Sequence, residues 1–208
     1  MEQMAAKLGR RARGRKPSSQ QRTRLPHLWL LTDPARTPDP IAAAAALPGG
    51  SVVVLRLFGA PDGPAIARDL RRITRERGVS LLIGADWRLA AAVGADGVHL
   101  PQRLMGLAPG LRRRRPGWLI SAAAHDAAAI AAGGRMGLDA LLVSPVFPSR
   151  SASAGRPLGA LRFAALVRGS RAPVIALGGV NDATARRLAT CGAAGLAGVD
   201  GIARRATL

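Results

Sequence analysis

ALLVSPVFPSRSASAGRPLG, residues 140 to 159, is the stretch whose reading decides the fold. Branched apolar residues (Leu141, Leu142, Val143) run into Ser144-Pro145 and Phe147-Pro148, then open into Ser, Ala, Gly and Arg before Pro157. That is the pattern of a buried strand delivering a polar loop from its C-terminal end. Ser149, Ser151, Ser153 and Gly155 offer hydroxyls and exposed backbone N–H groups suited to an anionic ligand, although an ordinary surface loop has the same composition.

Working outward, the same unit repeats. LWLLTD (28 to 33), SVVVLRL (51 to 57), SLLIGA (80 to 85), GVHL (97 to 100), WLISAAA (118 to 124), PVIALGG (173 to 179) and GLAGVDG (195 to 201) complete a set of eight apolar runs. Between them lie stretches of helical pattern. PDPIAAAAAL starts with Asp39 as cap and Pro40 in the first turn. GPAIARDLRRITRER places Ile66, Leu70 and Ile73 on one face and stops at Gly78. Asp126 caps AAAIAAGG, and Asn181 or Asp182 caps ATARRLATCG. QRLMGLAPGLRRRRPG is expected to be a weak helix at best, interrupted by Gly106 and Pro109, and the last helix, IARRATL, is a stub.

Strands that read as continuous apolar runs are buried on both faces, so the sheet is expected to be parallel. A closed barrel and an open doubly wound sheet both satisfy the alternation. No Gly-x-Gly-x-x-Gly follows the first strand, which removes the main support for dinucleotide binding. Eight short units favour a single (β/α)8 TIM barrel of short form, built from residues 25 to 208. In such a barrel function gathers where strands end, which nominates Asp33, Arg56, Asp86, His99, Gln102, His125, Ser144, the 147 to 156 loop, Gly178-Gly179 and Asp200.

Composition sets the outer bounds. At 208 residues with 48% apolar content, the chain is sized for one well-buried core. A formal net charge of +19 points first to nucleic acid. The charge is almost all arginine, with lysine only at Lys7 and Lys16, and the 3% aromatic content leaves few platforms for stacking bases. It therefore reads as a coding bias more than as a nucleic-acid interface. Residues 1 to 24 carry eight basic residues against Glu2 and are expected to form a disordered basic tail. No apolar run approaches the span of a bilayer, and the single Cys191, at a helix end, excludes an internal disulfide and fits a reducing, cytoplasmic compartment. Cys191 reads as a small buried thiol in preference to a nucleophile.

Taken together, GADGVHLPQ (94 to 102), SPVFPSRSASAGRPLG (144 to 159) and IALGGV (175 to 180) resemble the thiamine phosphate synthase and TenI family of small barrels. The likeness runs from Leu28 to about Ala203. It implies a thiamine-biosynthetic protein whose small-molecule ligand is thiazole phosphate or thiamine phosphate. In the synthase branch it implies coupling of thiazole phosphate to hydroxymethylpyrimidine diphosphate with a dication. Against that pattern, the metal-binding Asn-Asp pair falls on Gly84 and Ala85, and the second metal-binding Asp falls on Leu104. The Gln of the second strand falls on Val54, and the loop Lys on Ala152. Alanine and leucine do not coordinate a hard cation, so no metal is expected unless Asp86 substitutes for the missing magnesium ligands.

The thiazole side of the family site remains. The resemblance assigns phosphate and substrate contacts to Gly178, Gly179, Gly198 and Gly201, with Ser144, Ser149 and Ser151 in the loop. Asp200 intrudes as a carboxylate that would repel phosphate. His125 stands where the TenI branch carries an acid-base His for thiazole tautomerisation, a job that imidazole suits near neutral pH. Residue by residue, other readings stay open. His125 is either catalytic or a helix-entry residue beside Asp126. His99 is a lumen or core histidine, or a ligand. Arg56 binds an anion or makes a structural ion pair. The Arg112 to Arg115 run is solvated or touches nucleic acid. The expected activity is metal-independent and tautomerase-like, with retained synthase activity, a non-catalytic ligand-binding barrel and a nucleic-acid binder acting through the basic tail as the alternatives.

Overall fold

A computed structural model of the chain describes residues 1–11, 25–149, 151 and 155–199. Eight parallel strands close into a barrel in sequence order: β1 (Leu28–Leu31), β2 (Val52–Leu55), β3 (Ser80–Gly84), β4 (Gly97–Leu100), β5 (Leu119–Ala124), β6 (Ala140–Val143), β7 (Val174–Ala176) and β8 (Gly195–Gly198). β8 returns to β1, with Trp29 opposite Ala197, so no strand edge is left open. The parallel barrel expected from the apolar runs is what forms.

Burial on both faces explains why those runs lack polar alternation. Within each strand one parity points into the lumen, where Trp29, Leu31, Val52, Val54, Leu82, Leu142 and Ile175 make a compact inner core. The other parity points outward and packs under the helices, with Leu30, Val53, Leu81, Leu141 and Val174 among its members. Gly97 is required in β4: a Cβ there would lie 1.9 Å from the Leu119 carbonyl oxygen. The same space constraint acts at Gly195, where a Cβ would meet the His27 carbonyl at 2.5 Å.

The helices are α1 (Glu2–Arg11), α2 (Pro40–Ala45), α3 (Gly63–Arg77), α4 (Trp87–Ala92), α5 (Ala108–Arg114), α6 (Ala127–Arg135), α7 (Gly159–Gly169) and α8 (Asp182–Ala185). Asp39 caps α2 through the N–H groups of Ile41 and Ala42, Asp126 caps α6, and Gly78 ends α3 at φ +63. At α8 the cap is Asn181, in a reciprocal pair with Thr184. Cys191 is buried, with its thiol near the carbonyls of Ala160 and Arg187, and burial pushes its pKa up.

Two expectations are corrected. The segment after β4 is not a broken helix but two elements, a 3-10 turn at Gln102–Leu107 followed by α5. Pro109 sits in the first turn of α5, where its missing N–H costs no hydrogen bond, so it starts the helix instead of interrupting it. The start of the expected tail is also ordered as a helix: α1 lies on the outside of β8 and β1, with Ala5 buried and Met1 and Met4 against the outer core. Its apolar residues at i and i+3 or i+4 make one sticky face, which the count of basic residues conceals. Residues 12–24 and the stub helix expected beyond 201 lie outside the described residues.

Candidate functional site

The C-terminal ends of the strands surround a cavity of about 1040 Å³. Its floor is made by Leu31, His99, Ala123, Leu177 and Ala197, its walls by the loops after β2, β3, β6 and β7. Among the residues singled out from sequence, Arg56, Asp86, His99, His125, Ser144, Ser149, Ser151, Gly178, Gly179 and Gly198 all line it. Arg150, Ala152, Ser153, Asp200 and Gly201 lie outside the described residues.

His125 follows β5 directly. Its Nδ1 donates to the Ser144 carbonyl at 2.9 Å, and its backbone N–H donates to Gln102 Oε1 at 2.9 Å. Gln102 turns its amide nitrogen to Asp126 Oδ2 at 3.0 Å, so one side chain holds both the His125 backbone and the cap of α6. The Ala129 N–H, then the Gln102 amide, hold the Asp126 carboxyl below its ordinary pKa. Because a carbonyl only accepts, the His125 proton is fixed on Nδ1. In the neutral ring Nε2 keeps its lone pair for a ligand. His125 thus stands at the entry to α6 beside Asp126 and also lines the cavity.

His99 is buried, with Nδ1 at 3.0 Å from the Ser121 hydroxyl. Arg71 Nε is the one buried side-chain nitrogen or oxygen without a hydrogen bond among the described residues. His99 lines the floor of the cavity. Burial, then the charge of Arg56 and then His125 push the His99 pKa down to about 3, so its ring stays neutral at any ordinary pH. A lumen histidine, one of the readings open from sequence, is what the fold makes of it.

Arg56 makes the structural ion pair that was one of its two readings. Nε donates to the Thr32 carbonyl at 2.7 Å, while a terminal nitrogen lies 3.4 Å from Asp33, which also meets Arg36 at 3.4 Å. Burial lowers the Arg56 pKa, Asp33 opposes that and Arg36 adds to it; a guanidinium stays charged regardless. Arg36 and Arg103, which sequence reading passed over, join it on the cavity wall. Their only signal in the sequence is position, since both lie a few residues beyond a strand end.

The loop after β6 is clamped to the end of β7. Val146 N–H donates to Leu177 O at 2.9 Å and Phe147 N–H to Gly178 O at 3.0 Å. Gly178 and Gly179 have φ of +88 and +64, and a Cβ on Gly179 would fall 2.4 Å from Pro148 O. Glycine is needed there for conformation and for space. The N–H groups of Gly178 and Gly179 have no acceptor among the described residues.

The metal cradle implied by the resemblance does not fit these residues. Gly84 and Ala85 carry no side-chain ligand atom, and Leu104 is an apolar residue packed on the outer core. Asp86 caps α4, accepting the Leu89 N–H at 2.9 Å. Among the described residues, no three His, Cys, Asp or Glu side chains come together as a metal site. No described helix is long and apolar enough to cross a membrane.

A family model described as thiamine monophosphate synthase matches residues 28–202. A protein of Geobacter sulfurreducens provisionally named a thiamine-phosphate synthase is 35% identical over 183 residues, covering 84% of this chain and 85% of that one. The thiamine-phosphate synthase of Chloroflexus aurantiacus is 33% identical over 183 residues, with 84% of each chain covered. The solved thiamine phosphate pyrophosphorylase from Pyrococcus furiosus superposes with a TM-score of 0.71 at 27% identity, covering 83% of this chain and 84% of that one.

Proposed function

The chain belongs to the thiamine monophosphate synthase family, and from that premise we propose that it binds a thiazole phosphate at the barrel mouth and moves a proton on it without a metal ion. The observation that carries the reading is the tethered His125, whose Nε2 is available while Nδ1 is held by Ser144. A tautomer shift needs one group that takes a proton from one atom of the ring system and returns it to another. His125 Nε2 takes the proton, and the resulting imidazolium keeps its Nδ1–H on the Ser144 carbonyl, which also stabilises the added charge. The same proton is then delivered to the second atom, so nothing is consumed.

The anionic end of the ligand is assigned to the N–H groups of Gly178 and Gly179, unpaired among the described residues, and to the Ser149 hydroxyl, with Arg36, Arg56 and Arg103 on the cavity wall. Backbone N–H groups and guanidinium ions are suited to phosphate oxygens. A neutral His99 on the floor offers a ring nitrogen without a charge, matching an uncharged heteroatom of a heterocycle.

A second reading, thiamine phosphate synthesis from hydroxymethylpyrimidine diphosphate, is favoured by the names of the relatives at 35% and 33% identity. A thermal-shift screen with thiazole phosphate, thiamine phosphate and pyrophosphate, each with and without magnesium, separates the two. Stabilisation by thiazole phosphate that ignores magnesium supports the proton-transfer reading. Stabilisation by pyrophosphate only when magnesium is present supports the synthase.

A further inference from the structure

The loop after β2 departs from what its local chemistry favours. The Ala60 N–H donates to the Leu57 carbonyl at 2.9 Å, closing a four-residue turn with Phe58 and Gly59 at its centre. Both central residues have positive φ, +48 at Phe58 and +84 at Gly59, the pattern of a type I′ turn. That turn selects Asn, Asp or Gly at its first central position, and a bulky side chain there is held against its backbone preference. The side chain so held is also 71% exposed, the largest apolar group to stand so far out among the described aromatic residues.

Its surroundings show what keeps it there. Leu57, the preceding residue, tucks against Gly63 at the start of α3, where a Cβ would come within 2.7 Å of its methyl. The turn is therefore anchored on one side, and Phe58 is projected onto the cavity rim, which it lines. The Arg56 guanidinium sits 5.3 Å from the centre of the ring. Strain in the backbone, exposure of an aromatic face and a cation beside the ring all fall on one residue at the mouth of one cavity, and strain of this kind gathers at functional positions.

We infer that Phe58 is a specificity residue of the barrel mouth, an aromatic platform on which the planar ring of an aromatic phosphate stacks while Arg56 sits beside the anionic end. An aromatic face provides apolar area and a quadrupole that favours offset stacking, and a neighbouring guanidinium adds charge for phosphate, so the pair reads a flat ring and an anion together. The inference rests on the small-molecule phosphate reading of the cavity but not on thiazole as the ring.

The test measures dissociation constants by calorimetry for phenyl phosphate, thiazole phosphate and inorganic phosphate with the full chain. The parent is expected to bind phenyl phosphate at least tenfold more tightly than inorganic phosphate. Phe58→Leu keeps an apolar, equally strained side chain without the ring; it should erase most of that tenfold difference and leave inorganic phosphate within about twofold, while Phe58→Trp restores it. Phe58→Gly relieves the positive φ and should raise the melting temperature as it loses the ring preference, which separates a binding loss from a folding loss. No preference for phenyl phosphate in the parent, or the same preference in Phe58→Leu, overturns the platform. Binding of phenyl phosphate but not of thiazole phosphate leaves the platform standing and removes thiazole as the ligand of this site.

Discussion

His125 Nδ1 and the Ser144 carbonyl are 2.9 Å apart, joining the end of β5 to the end of β6 across the cavity mouth. This contact turns an exposed histidine into one of fixed tautomer. His125→Gln should reduce a tautomerase rate by at least about 100-fold, the usual lower bound for a general acid-base group, and leave thiazole phosphate affinity within a few-fold. Equal rates in variant and parent would remove His125 from the chemistry. An inactive parent would shift the reading to ligand binding alone.

His99 predicts a pH dependence of stability. Its folded pKa is down at about 3, against 6.5 for the free side chain, so between those values the unfolded chain binds a proton that the folded chain refuses. Stability contributed at this site is therefore intact above pH 6.5 and falls as the pH drops toward 3, by about 1.4 kcal/mol per unit at the steepest. Urea unfolding at pH 7 and pH 5 should show the parent losing about 2 kcal/mol more than His99→Gln over that interval. Parallel losses in the two proteins would show that His99 is not the group refusing the proton.

Magnesium should not bind at the strand ends with useful affinity. Titration of magnesium in the presence of pyrophosphate is expected to give no heat of site binding in the micromolar range. Micromolar binding that vanishes in Asp86→Ala would mean that Asp86 leaves its capping role at Leu89 to serve the metal, and would revive the synthase reading.

Gly179→Ala combines a left-handed backbone with a collision against Pro148 O, and should cost about 2 kcal/mol or more. Gly50 has φ +78 with nothing within 4 Å, so Gly50→Ala carries conformational strain alone and should cost about 1 kcal/mol. Denaturant midpoints compare the two. Equal costs would show that the loop after β6 yields to the added methyl, and phosphate affinity should then survive as well.

The barrel was legible because each strand is buried on both faces, so runs such as LWLL and VVVL carry no competing polar period. Caps were legible at Asp39 and Asp126 because capping is a contact between near neighbours in the chain. What escaped reading is made of contacts between distant segments. Gln102 could be placed at a strand end, but its hold on His125 and Asp126 spans more than twenty residues. The anchoring of α1 depends on the outer faces of β8 and β1, far along the chain. At Phe58 the sequence shows an aromatic residue after a strand, and only the backbone reveals that it sits where glycine or asparagine is favoured.

Cys191 is the sole cysteine of the chain and is 6% exposed, wedged where α7 and the segment after α8 meet. The protein thus carries a natural clock for the breathing of its outer wall. A thiol reagent reaches the buried Cys191 by local opening of this wall, and where reclosing outpaces labelling the half-time reads the opening equilibrium without any engineered probe. Adding a ligand that bridges the loop after β6, which leads directly into α7, should slow the clock, and the degree of slowing converts to the free energy with which the ligand holds the wall shut.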